Sequence, residues 1–117
     1  MKTILRRIDC LNIDIEFQVG QNARENHDII DDAEPSDLWF HLAGLASCHV
    51  IGKIPEKVVI DKSELLKIVK QGAMICKQMS ALKSQAKVEV EWTHIENVTK
   101  LDKPGSVSVT NVKKIII

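Results

Sequence analysis

The sequence predicts an α+β domain: a mostly antiparallel sheet with one long helix (about residues 61–80) and one short helix (about 21–32) packed on it. Three observations carry that reading. Ile13-Asp14-Ile15-Glu16-Phe17-Gln18-Val19 and Lys87–Thr93 alternate apolar and polar residues with the period of half-buried strands. Asp61-Lys62-Ser63-Glu64 has the form of a helix N-cap, with Glu64 placed to reach back. The elements run β-β-α-β-β-α-β-β-β, an order that suits helices on an antiparallel sheet.

Taken in order, Ile4–Ile8 and Asn12–Val19 read as strands, the second with Ile13, Ile15, Phe17 and Val19 on one face, and Gly20 ends it. Gln21–Ile30 reads as a short polar helix that stops before Glu34-Pro35. Leu38–Leu42 and Cys48–Ile54 are near-continuous apolar runs, as in the middle of a sheet, joined through Gly44 at hairpin spacing. In the long helix Leu65, Ile68, Val69, Gly72, Cys76 and Met79 share a face. Lys70 and Lys77, seven apart, project in nearly one direction, with Lys67 a turn away. After the strand at Lys87–Thr93, Pro104-Gly105 marks a turn, and Val107–Thr110 and Val112–Ile117 read as strands separated at Asn111.

A chain of 117 residues suits one domain spanning 1–117, and 44% hydrophobic with 27% charged residues is ordinary for a globular protein. No run approaches the ~18 apolar residues of a membrane span, and the basic N-terminus lacks an apolar signal region. A non-secreted protein is expected. Cys10, Cys48 and Cys76 are widely spaced, with no CxxC pair, which favours a reducing compartment, cytoplasmic or nuclear. Net charge is zero but unevenly spread. Residues 1–60 hold 6 Lys/Arg against 10 Asp/Glu, and residues 61–117 hold 10 against 6. A polyanion should meet mainly the second half.

The chemistry-bearing stretch is DLWFHLAGLASCHVI, Asp37–Ile51, an apolar segment that holds Trp39, His41, Cys48 and His49. His41 and His49 can face each other across the hairpin, but Cys48 and His49 are strand neighbours and point to opposite faces. That leaves too few convergent ligands for zinc and no base beside a Cys nucleophile, so neither metal nor cofactor is expected. Trp39 and His41 share strand parity. Together they can stack bases beside lysines, or they can be a core tryptophan and a histidine bonded to carbonyls. The cluster Lys67, Lys70, Lys77, Lys83 and Lys87, with Lys100 and Lys103 beyond, is either a solvated face or an anion-binding one. There is no Gly-rich phosphate loop, no paired catalytic carboxylates and no Ser-His-Asp order.

Val19-Gly20-Gln21-Asn22-Ala23-Arg24-Glu25-Asn26, then Asp37-Leu38-Trp39-Phe40-His41 and His49-Val50-Ile51, form a pattern that resembles NFACT-R, the RNA-binding module of the NFACT family. Pro55, the helix with Ala73, Val88-x-Val90-x-x-Thr93, Asn97-Val98-x-Lys100 and Lys103-Pro104-Gly105-x-Val107 extend it from residue 13 to the end. The form Glu25-Asn26-His27-Asp28-Ile29-Ile30 is closer to the free-standing, coiled-coil domain-containing eukaryotic branch than to large ribosome quality-control proteins. Two departures stand out: Ser47-Cys48 replaces the family's Gly-Ser, and Gln21 stands where many members carry a cation, with Arg24 able to compensate.

The resemblance implies a non-catalytic module for structured RNA, tRNA or ribosomal RNA, acting in translation or ribosome-associated quality control. Its expected RNA-binding residues are Asn22, Arg24, Asn26, Asp37, His41, His49, Lys70, Lys77, Lys100 and Lys103, with Trp39 structural and Asp37 orienting a histidine or capping a turn. Two rival readings are carried forward. One is a protein-interaction or DNA-sensing module, docking on a ribosomal, NFACT-family or membrane partner. The other is a tRNA-modification accessory enzyme with His41 and His49 as acid and base, which requires a pocket joining them.

Overall fold

The computed structural model describes residues 1–117. It is an α+β fold built from β1 (Lys2–Ile8), β2 (Ile13–Val19), α1 (Ala23–Asp31), β3 (Leu38–Leu42), β4 (Val50–Gly52), α2 (Lys62–Gln78), β5 (Glu89–His94), β6 (Val98–Lys100), β7 (Val107–Val109) and β8 (Lys113–Ile116). Six strands form one sheet in the order β1-β2-β4-β3-β5-β8, and β6 and β7 form a separate two-stranded sheet. Every pairing is antiparallel. No helix is long and apolar enough to cross a membrane.

The predicted hairpin forms as β3 and β4, with Phe40 opposite Val50 and Trp39 opposite Ile51. Gly44 turns the connection at φ +72°, a backbone that L side chains rarely adopt. The Asp61 cap is a complete capping box: its carboxylate accepts from the Glu64 amide at 2.8 Å, and the Glu64 carboxylate accepts from the Asp61 amide at 2.9 Å. At the C-terminal end both expected strands form. Val107–Val109 and Lys113–Ile116 straddle a turn at Asn111 (φ +52°) but belong to different sheets. The first pairs with β6, whose three residues, Val98-Thr99-Lys100, show no strand signal of their own. The second joins the edge of the main sheet beside β5.

Strand parity sorts the core into two layers. Phe17, Leu38, Phe40, Leu42, Val50, Val90 and Trp92 face α2 and its buried Ile68, Val69, Ala73 and Cys76. Trp39, Ile51 and Ile95 face the other way, against Ile29 and Ile30 of α1, with half-buried Val98, Val107 and Val109 of the small sheet packed beside them. The two helices therefore cover opposite faces of the main sheet. On the α2 side the approach is set by Gly72, where an added Cβ would lie 2.3 Å from Phe40 Cζ. Gly72→Ala is expected to destabilise by about 2 kcal/mol, because overpacking of a filled core outweighs the ~1 kcal/mol of better helix propensity. A urea denaturation midpoint unchanged or raised in that variant would contradict this close packing.

Candidate functional site

The site lies on the α1 side of the sheet, where β2 runs into the helix. Asn22 caps α1 by accepting the Glu25 amide at 2.9 Å, and the Glu25 carboxylate in turn accepts the Gln21 amide at 3.0 Å and pairs with the N-terminal ammonium at 2.7 Å. That ammonium, first, and the Gln21 amide hold the Glu25 carboxyl below its ordinary range. One turn on, Asn26 is buried, and its Oδ1 accepts the His49 amide at 3.0 Å. The His49 carbonyl accepts the Gly20 amide at 3.0 Å. A Cβ at Gly20 would lie 2.2 Å from Asn26 Oδ1, so glycine is what lets the strand end pass this close to the helix.

A second chain segment closes over the same place. The Lys103–Ser106 turn carries Gly105 at φ +84°, resting on Ala23. His27 Nε2 donates to the Ser106 carbonyl at 3.0 Å, tying turn to helix. Between this strap and the sheet lie three aromatic rings. Trp39 and His41 are parallel within 3° at 5.7 Å, and His49 stands perpendicular to both, at 5.5 and 5.1 Å. Trp39 is buried, and its indole Nε1 donates to His49 Nδ1 at 3.3 Å. That bond places the proton of neutral His49 on Nε2. Burial, then the charges of His41 and His27, push the His49 pKa down to about 4. Burial also lowers that of His41, against the pull of the Leu42 backbone and of Glu91. Both shifts favour the neutral imidazole.

Two cavities open on this cluster. The larger, about 640 Å³, runs along the N-terminus of α1 past Gln21, Asn22 and Ala23 to Lys103. The smaller, about 410 Å³, lies toward Glu91, Val107 and Val109. His41, His49, Gly105 and Ser106 wall both. At the first cavity the Ala23 and Arg24 amides of the first helical turn have no intrahelical acceptor, the helix dipole is positive, and Lys103 adds a charge, while the Glu25 carboxylate is held by the Gln21 amide and the N-terminal ammonium.

A family model described as the NFACT protein RNA binding domain matches residues 15–111, most of the chain. The chain belongs to that family. Coiled-coil domain-containing protein 25 of Danio rerio is 38% identical over a segment covering 42% of this chain and 28% of the relative. The Bos taurus protein of the same name is 36% identical with the same coverage. The match thus spans little more than a quarter of these relatives' length. The C-terminal part of the fibronectin/fibrinogen-binding protein from Streptococcus suis superposes with a TM-score of 0.74 at 21% identity, over 88% of this chain and 41% of that one. It shares the fold.

On this NFACT RNA-binding domain the ten expected residues divide by position. Asn22, His41 and Lys103 line the larger cavity, together with the buried Asn26 and His49. Arg24 is exposed on the first turn of α1. Lys100 pairs with Asp31 on the same side of the sheet. Lys70 and Lys77 are not brought to this site. They lie on α2, across the sheet, where Lys70 shares one depression with Arg7 and Lys67 and another with Lys77 and Lys83. Lys77 donates to the Ile117 carbonyl at 3.1 Å. Asp37 is buried and orients no histidine. It closes a turn, accepting the amides of Glu34 and Ile54 at 2.9 Å each, with Lys53 Nζ at 3.4 Å.

Cys48 packs with the α2-side core, opposite to His49, as strand parity requires. Sequence reasoning missed the walls supplied by Ser106 and Glu91. Glu91 was recoverable, since the alternation of Lys87–Thr93 puts it opposite the face of Val90 and Trp92, and its register partner is His41. Nothing in the sequence places Ser106 beside His27.

Proposed function

We propose that this domain binds structured RNA, tRNA or ribosomal RNA, without catalysis, through the groove between the N-terminus of α1 and the Lys103–Ser106 strap, in the cytoplasm and in the setting of translation or ribosome-associated quality control. The observation that carries the proposal is the convergence of the α1 N-terminus and Lys103 on one groove, with Arg24 exposed on the adjoining helical turn, in a chain of an RNA-binding family. A non-catalytic role fits the histidines. His49 has Nδ1 committed to Trp39 and a pKa near 4, which makes it a weak proton acceptor at neutral pH. With few cations at the groove, affinity should be about micromolar and salt-sensitive.

The test is fluorescence anisotropy of labelled tRNA, ribosomal RNA fragments and duplex DNA at several salt concentrations. Arg24→Glu/Lys103→Glu is expected to weaken RNA binding about tenfold or more and to lower the salt slope by about two. Lys70→Glu/Lys77→Glu should cost less. Loss of binding in the α2 variant alone would move the interface to the opposite side of the sheet. No binding to any nucleic acid at low salt would favour a protein partner.

A further inference from the structure

The smaller cavity differs from the groove beside it in a way that defines a ligand. No lysine or arginine lines it, and it holds the carboxylate of Glu91, which pairs with no cation. A phosphate would be repelled there. Leu101, Val107 and Val109 give it apolar walls, and its volume of about 410 Å³ is in the range of small-molecule sites. His49 is only 2% exposed and its Nδ1 is occupied by Trp39, while its Nε2–H has no acceptor in the protein and is not sealed off by it. That Nε2–H is therefore open to an acceptor that enters the cavity.

We propose that the cavity walled by His41, His49 and Glu91 receives one unpaired nucleobase of the bound RNA. The proposal rests on the RNA-binding reading and deepens it. The base lies between Leu101, Val107 and Val109 and the partly exposed His41 ring. His49 Nε2–H donates to a ring nitrogen or carbonyl of the base, and Glu91 accepts from its amino or imino group. The adjoining groove, which shares the walls His41, His49, Gly105 and Ser106, takes the phosphate of the same nucleotide. A paired, stacked base cannot enter; the domain therefore selects RNA at a bulge, a loop or an end.

The experiment uses the 117-residue chain and three labelled hairpins: one fully paired, one with a single-nucleotide bulge, and one with an abasic residue at the bulge. The bulged hairpin is expected to bind about tenfold tighter than the paired one, in line with the contribution of one stacked base, and the abasic hairpin to fall back to the paired level. His49→Ala is the direct variant but sits in the core, so Glu91→Ala, at a half-exposed position, is the second. It should reduce the ratio of bulged to paired affinity several-fold, while loss of the carboxylate beside the groove relieves repulsion of phosphate and strengthens, if anything, binding of the paired hairpin. Equal affinity for all three hairpins would overturn the base site while leaving RNA binding in place. A bulge preference unaltered by Glu91→Ala and by His41→Ala would overturn this cavity as its location. Absence of binding to every hairpin at low salt would overturn both readings.

Discussion

Asp37→Ala is expected to destabilise the domain by about 3–4 kcal/mol, while RNA affinity of the folded fraction stays unchanged. The carboxylate is 1% exposed and accepts two backbone amides, those of Glu34 and Ile54, at 2.9 Å each. Its own backbone takes part as well, since the Asp37 carbonyl accepts the Ile95 amide at 2.8 Å. One residue thus joins the turn before β3, the exit of β4 and the exit of β5. Alanine leaves two amides without partners and strips Lys53 of its counter-charge. Asp37→Asn keeps the size but turns one amide donor against another, so it should lose less, about half as much. Urea denaturation gives the stability, and anisotropy corrected for folded fraction gives the affinity. If Asp37→Ala folds normally but loses RNA, the residue contacts the ligand and the clasp is not its main role.

That outcome bears on how much of the domain a reader of the sequence could see. Local periodicity was legible. The alternation along Asn12–Val19 gave β2 to within one residue at its start, Leu38–Leu42 gave β3, and the Asp61-x-x-Glu64 cap placed the start of α2. Strand parity also foretold that Trp39 and His41 lie on one side and that His41 meets His49. What periodicity cannot say is which side of a sheet a helix covers. Lys70 and Lys77 were therefore pooled with Lys100 and Lys103 as one basic half, when α2 and the strap lie on opposite faces. Nor does it reveal partners distant in sequence. Asn26 and Asp37 have the composition of ligand-facing residues, yet their oxygens satisfy amides 23 and 17 residues away. Short polar side chains that close backbone gaps and those that meet a ligand look alike until the backbone is folded.

Lowering the pH from 7 to about 4 is expected to remove about 3 kcal/mol of stability through His49 alone. The unfolded imidazole takes its proton near 6.5, whereas in the folded protein burial first, then His41 and His27, delay protonation to about pH 4. Between these values the unfolded state holds the extra proton. Stability therefore falls as pH drops through this window, and this contribution is flat above about 7. Protonation of Nδ1 also turns the acceptor of the Trp39 indole into a second donor. His41, lowered by burial, adds a slope of the same sign. The carboxyls of Glu25 and Asp61, held below their ordinary range by hydrogen bonds, lose their contribution only at still lower pH, so the interval from 7 to 5 isolates the imidazoles. His49→Gln keeps an acceptor for Trp39 without titrating. Its denaturation midpoint should decline less steeply across that interval than that of the parent chain, with the remaining slope coming from His41. A parallel decline in both chains would mean that folding does not lower the His49 pKa. The ring would then take its proton within that interval, lose the indole contact there, and meet the groove as a cation rather than as a neutral donor.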